Sequence, residues 1–448
     1  MSEIEFLRQL GDDLHAAARK EALDGPTPES GRSRWWSVRK LVAIFGAIIL
    51  VGAAALSWGL IERERPKRDG AGEVAANPRL GGSGISQRYS GSDFWSVDAS
   101  SPDDVWVSGR AYGGDTGRNR PLILHWDGRS WKEIDAPEVF LPHIAVVSPT
   151  DVWGIGGDID QAEVLHWDGA RWTRMSHRDP PGASFAGIDA RSADDVWVVG
   201  TKFGAECAPN TVGNDTLIEH WNGSRWSVES SPNPTRRSNW LSGVVALSRS
   251  DAWATGYSQD TSQAAKTMAL HWDGRTWSVV PSPNPGRMLN VIGGPGTDRA
   301  GGVWAAGHSL DDPDGQLEAF YMRWDGKAWQ IVPPPRGHAS HQTPGALDGS
   351  ASRDVWAVGS DATGSFLIAH WDGSVWRTVK AELPPGSEDA NLALRDVVAA
   401  SSDEAWAVGG YQLTSRAGTL HLVEYHPVLE HWDGSQWRLV QLPVIAGS

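Results

Sequence analysis

The chain has 448 residues, a formal net charge of −15 and a single cysteine, Cys207. This length exceeds one simple core and suits a large repeat domain, while one cysteine excludes an internal disulfide framework and any multi-cysteine metal site. The first 70 residues carry 11 Lys+Arg and 10 Asp+Glu, leaving 29 against 45 in the remainder, and that acidic field disfavours nucleic acid, anionic lipid and polyphosphate as principal partners.

Residues 1–24 read as a short helix, because Leu7, Leu10, Leu14 and Ala17 recur at three- and four-residue steps until Gly25-Pro26 stops it. It is either a loosely held surface helix or a docking helix for a cytosolic partner, within an N-terminal segment 1–40. Residues 41–61 form 21 consecutive residues without a charge, the length that crosses a bilayer as a helix. Trp35, Trp36 and Trp58 lie near its ends, where indoles favour the interface. Because 40 residues precede it, an uncleaved anchor fits better than a signal peptide, whose apolar core is shorter and nearer the N-terminus. Arg32, Arg34, Arg39 and Lys40 before the span nearly balance Arg63, Arg65, Lys67 and Arg68 after it. Arg19 and Lys20 tip the count toward a cytoplasmic N-terminus and an extracytoplasmic C-terminal part. Residues 62–93, charged and then Gly/Ser-rich, read as a flexible linker.

From residue 94 the chain repeats. One phrase runs His125 to Trp131 and returns at His166, His220, His271, Arg323, His370 and His431. Its centre is Trp-Asp-Gly, with Asn222-Gly223 in the third copy, a strong hairpin signal because both turn residues tolerate positive φ. Upstream of each copy stands Trp106, Trp153, Trp197, Trp253, Trp304, Trp356 or Trp406, each followed three residues later by Gly. An acidic residue precedes these Trp by two positions, except at Gly302. Nine residues before the same Trp comes an aliphatic-x-small strip, such as Val97-Asp98-Ala99, which the fifth copy reaches only with a three-residue insertion. Each unit therefore reads as four strands, A to D, with A placed at the axis for its small residues. A phase shifted by one strand is the alternative. Units of about 50 residues with four strands mark propeller blades, and seven of them close a ring that leaves no long sheet edge.

The expected fold is all-β: a seven-bladed β-propeller of four-stranded antiparallel blades over 94–448, preceded by one transmembrane helix and the short N-terminal helix. The blades fall near 94–136, 141–177, 185–231, 241–283, 289–335, 344–383 and 394–445. Over 94–445 the chain resembles bacterial β-propellers with Trp-rich, kelch-like or Asp-box-like repeats. It departs from the Asp-box pattern in having Asp and Gly adjacent, and from WD40 in lacking a Gly-His opener.

Three Trp per repeat account for 21 of the 26, and such regular placement suits packing between blades. Six equivalent His around a ring cannot converge on one metal, so structural hydrogen bonds are expected, with Arg323 substituting in the fifth unit. The repeated acidic residue is expected to cap the A–B turn. Function should lie where repeats disagree, on the face of the B–C loops and D–A connections. The longest B–C segments are Lys202 to Thr216, His308 to Ala319 and Tyr411 to Leu429. Candidate ligand-binding residues there are Trp95 and Trp240, which stand outside the repeat, the acidic loop Asp311, Asp312 and Asp314, and His338, His341, Tyr411 and His421. No spacing defines a metal site, no cofactor is implied, and Cys207 reads as a plain thiol. The expected partner is a cell-surface glycan or protein, with no nucleic acid, and the membrane through 41–61. Enzyme readings lack their parts: neither a sialidase-like triad nor a Gly-x-Ser-x-Gly elbow or phosphate loop is identifiable. A binding module leads, with an exported glycan-directed hydrolase or lyase and a transmembrane sensor as alternatives.

Overall fold

The computed structural model describes residues 86–442 apart from 114–118, 159–160, 178–179, 181, 204–212, 261–263, 313–314, 336–342, 362, 388–389 and 418–419. The N-terminal helix, the span 41–61, most of the linker and Cys207 lie outside these residues. Among the described residues every regular element is a β-strand, and no helix is long and apolar enough to cross a membrane.

The first group shows the plan. Strand A (Ser86–Ser101), strand B (Asp104–Gly113), strand C (Arg120–Trp126) and strand D (Trp131–Ile134) pair in sequence order, all antiparallel. The same A–B–C–D order recurs at 143–174, 183–228, 238–280, 289–332, 343–378 and 391–439. In the fifth group strand A is split into Leu289–Ile292 and Gly296–Thr297, with the expected insertion between its parts. Two parallel pairings join neighbours: Asn214 with Ser238, and Ser86–Gly91 with Leu420–Tyr425.

Two expectations need correction here. Residues 86–93 are strand rather than linker, because Ser86–Gly91 gain a parallel partner and Ser90–Phe94 an antiparallel one. Only a segment more than 300 residues away supplies the first of these, so no local pattern announces it. The segment Tyr411 to Leu429 is not an irregular loop either. Strands B (Glu404–Ala417) and C (Leu420–Trp432) of the last group continue through it as one long hairpin, favoured by its Leu, Thr, Val and Tyr residues.

The repeated glycines have separate causes. Those of the C–D turns, Gly128 to Gly434, hold φ of 79–92°, which a side chain would strain. Those of strand B face a close approach instead. A Cβ on Gly256 would stand 1.9 Å from the Trp240 carbonyl oxygen and one on Gly200 2.0 Å from that of Ser184. In the first, third, fourth, sixth and seventh groups this glycine lies where strand A bulges by one residue, at Trp95, Ala186, Ser242, Gly345 and Arg395. The A–B and C–D turns share one face, as the hairpin glycines pack on A–B turn residues: Gly128 on Asp103, Gly169 on Thr150 and Gly223 on Asp194.

Tryptophan binds the groups to one another. The strand B indole of each group packs on the hairpin indoles of the next: Trp153 on Trp221 and Trp226, Trp197 on Trp272 and Trp277, Trp253 on Trp324 and Trp329. The series continues through Trp304 and Trp356, then Trp406 of the last group packs on Trp126 and Trp131 of the first at 5.9 and 5.3 Å. The contacts therefore form a closed cycle. Within each group except the fifth the same indole packs on the repeated His, as Trp106 does on His125 at 4.2 Å and Trp197 on His220 at 4.0 Å.

The repeated acidic residue holds these side chains rather than capping the turn with backbone bonds. Asp104 accepts from Trp106 Nε1 at 2.9 Å, from Ser100 Oγ at 2.5 Å, and meets His125 Nε2 at 2.7 Å. Where Gly302 replaces it, the buried Asp298 reaches in and pairs with Arg323 at 3.4 Å, and the guanidinium lies over Trp304.

Candidate ligand-binding site at the inner mouth

The A strands are innermost. Bridges between neighbouring groups run through them: Asp98 accepts from Val146 N–H at 2.7 Å, Asp189 from Ala246 at 2.6 Å, Asp348 from Ala399 at 2.9 Å, and Asp396 from Val97 at 3.0 Å. At the crowded inner edge a Cβ on Gly187 would lie 2.5 Å from Gly243 Cα, and one on Gly243 2.6 Å from Gly294 Cα. The small residues expected at the axis are there because neighbouring backbones nearly touch.

These four carboxyls share an environment. Removal of water by the surrounding strands raises the Asp98 pKa to about 8, and the charges of Asp189 and Asp348 push the same way. The same cause lifts Asp396 to about 7 and Asp189 and Asp348 to about 6. Each already accepts backbone N–H groups, so the set acts first as staples between strands. Sequence reasoning missed them. The signal was the middle residue of the aliphatic-x-small strip, which is Asp in Val97-Asp98-Ala99, Ile188-Asp189-Ala190 and Leu347-Asp348-Gly349.

The bulge residues ring the inner mouth on the face of the B–C loops. Ala186, Ser242 and Gly345 are small, whereas Trp95 and Arg395 of the first and last groups are large. Ring closure brings those two together, with the Arg395 guanidinium 4.4 Å from the Trp95 ring centre. Trp95 is half-buried and meets Phe140 edge-on at 5.5 Å, and Arg110 lies 4.2 Å over the Phe140 ring. Beneath them Asp93, 1% exposed, fixes the arrangement. It accepts from Trp95 Nε1 at 2.8 Å and Tyr112 Oη at 3.3 Å, and pairs with Arg395 at 3.3 Å. Burial pushes the Asp93 pKa up, and Arg395 opposes that shift. Tyr112 stacks on Tyr425 at 4.3 Å, and Tyr411 on His426 at 4.7 Å. The result is an aromatic cluster in which the Arg395 and Arg110 guanidinium groups both lie near the buried Asp93 carboxyl.

Of the sequence candidates, Trp95 lies in this cluster and Tyr411 beside it. Trp240 is half-buried on strand A of the fourth group, opposite Tyr257, one position before the residue that matches Phe94. The structure does not pair it with Trp95. Asp311 is exposed and accepts from Arg287 N–H at 3.0 Å, and the Asp312 carbonyl closes a turn onto Gly315. Neither joins the cluster. Asp314, His338 and His341 lie outside the described residues, as does the His421 side chain. Among the described residues no three His, Cys, Asp or Glu side chains converge as metal ligands. On the opposite face, at the seam between the last and first groups, a groove of about 610 Å³ is lined by Trp126, Arg129, Trp131, Glu404 and His431.

No protein-family model and no curated protein sequence matches the chain. Solved structures with similar folds include an ulvan lyase of polysaccharide lyase family PL25, at a TM-score of 0.52 and 11% identity over 80% of this chain and 98% of that one. A structure of ulvan lyase bound to -[GlcA(1-4)Rha3S]- matches at 0.51 and 11%, over 77% and 92%. The β-propeller domain of the Trilobed protease from Pyrococcus furiosus matches at 0.47 and 9%, over 79% and 98%. The described part of the chain is a β-propeller. At such identities the likeness concerns the fold alone.

Proposed function

We propose that this chain is a single-pass membrane protein whose N-terminus is cytoplasmic and whose extracytoplasmic part is a closed seven-bladed propeller. It binds a cell-surface glycan or protein at the inner mouth on the B–C face. The uncharged run 41–61 supports the anchor. The cycle of indole contacts, returning from Trp406 to Trp126 and Trp131, supports seven blades. One observation carries the binding site: the bulge position that is small in the third, fourth and sixth groups holds Trp95 and Arg395 where the ring closes, and Asp93 locks both. A preorganised aromatic and guanidinium surface loses little freedom on binding, which is how such residues become energetic centres of interfaces.

Arrays of cell-surface glycans and peptides, probed with the full chain and with Trp95→Ala and Arg395→Ala, test the site. Binding that weakens at least tenfold in both variants is expected. Undiminished binding removes the inner mouth from consideration, and product formation from a bound polysaccharide replaces the module with an exported enzyme. Protease treatment of intact cells tests the topology, since a propeller that survives until lysis would be cytoplasmic.

A further inference from the structure

The strand C residue just before the repeated His or Arg is buried in every group. It is Leu124, Leu165, Leu270, Met322 or Ala369 in five groups, and Glu219 or Glu430 in the other two, all between 0 and 4% exposed. A carboxylate at this place has left water and needs a partner, because an unpaired buried charge costs several kcal/mol. In the third group the chain supplies one. His177, which follows strand D of the preceding group, meets Glu219 with Nδ1 3.2 Å from Oε2, and both are buried.

The seventh group has the buried carboxyl without the imidazole. Glu430 is 0% exposed, and neither carboxyl oxygen has a hydrogen-bond partner. Glu382, which follows strand D of the preceding group, reaches the rung of Glu430. Glu382 is exposed, and its Oε2 accepts from Leu439 N–H at 3.3 Å, on the ladder rung that pairs Leu439 with Glu430. Protonation alone does not resolve the conflict, because a neutral Glu430 would still bury an O–H with no acceptor. An ion reached from solvent past Glu382 would satisfy both oxygens and both charges.

We propose that Glu430 and Glu382 hold a hard divalent cation of the calcium type between the sixth and seventh groups, in the place that the His177 imidazole takes beside Glu219. Carboxylate oxygens are the donors such an ion selects. No third His, Cys, Asp or Glu side chain among the described residues joins them, so water and backbone carbonyls complete the shell. The affinity then belongs to the weak end of calcium sites, roughly 10⁻⁴ to 10⁻³ M.

Thermal unfolding of the full chain in EDTA and in rising Ca²⁺, up to about 10 mM so as to exceed that range, tests this. The melting temperature should rise saturably by several degrees. Glu430→Leu installs the residue that three other groups carry at this place, so it should fold and melt at or above the wild-type temperature in EDTA while losing the Ca²⁺ response. Glu382→Gln should weaken the response at least tenfold in Ca²⁺ concentration. A wild-type melt unchanged between EDTA and Ca²⁺ overturns the proposal, as does a response that survives in Glu430→Leu. An equal shift with NaCl at matched ionic strength also overturns it, since that marks screening rather than a site.

Discussion

The six indoles Trp106, Trp153, Trp197, Trp304, Trp356 and Trp406 are 1, 1, 0, 0, 1 and 4% exposed, so replacing each with Phe removes nearly the same buried apolar surface. They differ in their hydrogen bonding. The first three donate Nε1–H to the acidic residue two positions earlier, at 2.9, 2.9 and 3.2 Å, whereas in the last three Nε1 is buried without an acceptor. A hydrogen bond to a charged group contributes about 1.5–3 kcal/mol, and a buried donor without a partner is itself a cost. Trp→Phe should therefore destabilise the first set by about 1.5–3 kcal/mol more than the second. For a unit of about 350 residues, with about 2.1 cal/mol/K of unfolding entropy per residue, that is a gap in melting midpoint of roughly 2–4 °C. Thermal and urea unfolding of the six single variants at pH 7, followed by near-UV circular dichroism, would measure it. If the sets overlap, or if Trp406→Phe is the most damaging, the indole–carboxylate bonds add nothing to the packing.

Two further outcomes follow from the inner strands. Asp98 and Asp396, raised to about 8 and 7, bind protons more tightly folded than unfolded. Their contribution is full below the unfolded carboxyl pKa and is lost as pH rises through the folded values. Melting temperature should thus fall between pH 7 and pH 9, above the range in which His143 and His308, held down to about 4 by burial, act in the opposite sense. The fall should be less steep in Asp98→Asn, and a midpoint that rises over that window would contradict the raised pKa of these groups. The turn residues Asp127, Asp372 and Asp433 are held low by side-chain and backbone hydrogen bonds and act only in more acidic solution, so they do not mask the effect. Gly256→Ala would drive a methyl to 1.9 Å from the Trp240 carbonyl, and overpacking of this kind costs about 1–3 kcal/mol or more. Urea titration should show a lower midpoint, while Gly301→Ala, with no atom within 4 Å but φ of 94°, should lose only the smaller cost of backbone strain.

Most of the fold was written in local phrases. Trp-Asp-Gly, or Trp-Asn-Gly in the third group, marked each C–D hairpin because the turn needs its glycine at positive φ, and the Gly three residues after each strand B Trp recurred because a carbonyl in or just before strand A leaves no room for a side chain. The pairing of Ser86–Gly91 was invisible, since Leu420–Tyr425 adjoins it only when the ring closes. The inner site was half legible for the same reason. Trp95 stood out as an indole off the repeat, but Arg395 looks ordinary until ring closure places it 4.4 Å away. Glu430 is conspicuous only beside the leucines of the equivalent positions, a comparison across units rather than along the chain.

The strand that opens the first group also has a mechanical side. Ser86–Gly91 runs parallel to Leu420–Tyr425 and then turns into its antiparallel ladder with strand B. Tension applied at Ser86 along the strand loads the six paired positions in shear, all together, instead of peeling them one at a time. Ser86 is therefore fastened to the last group as well as to the first, and a load applied there is shared across the seam rather than prising it open.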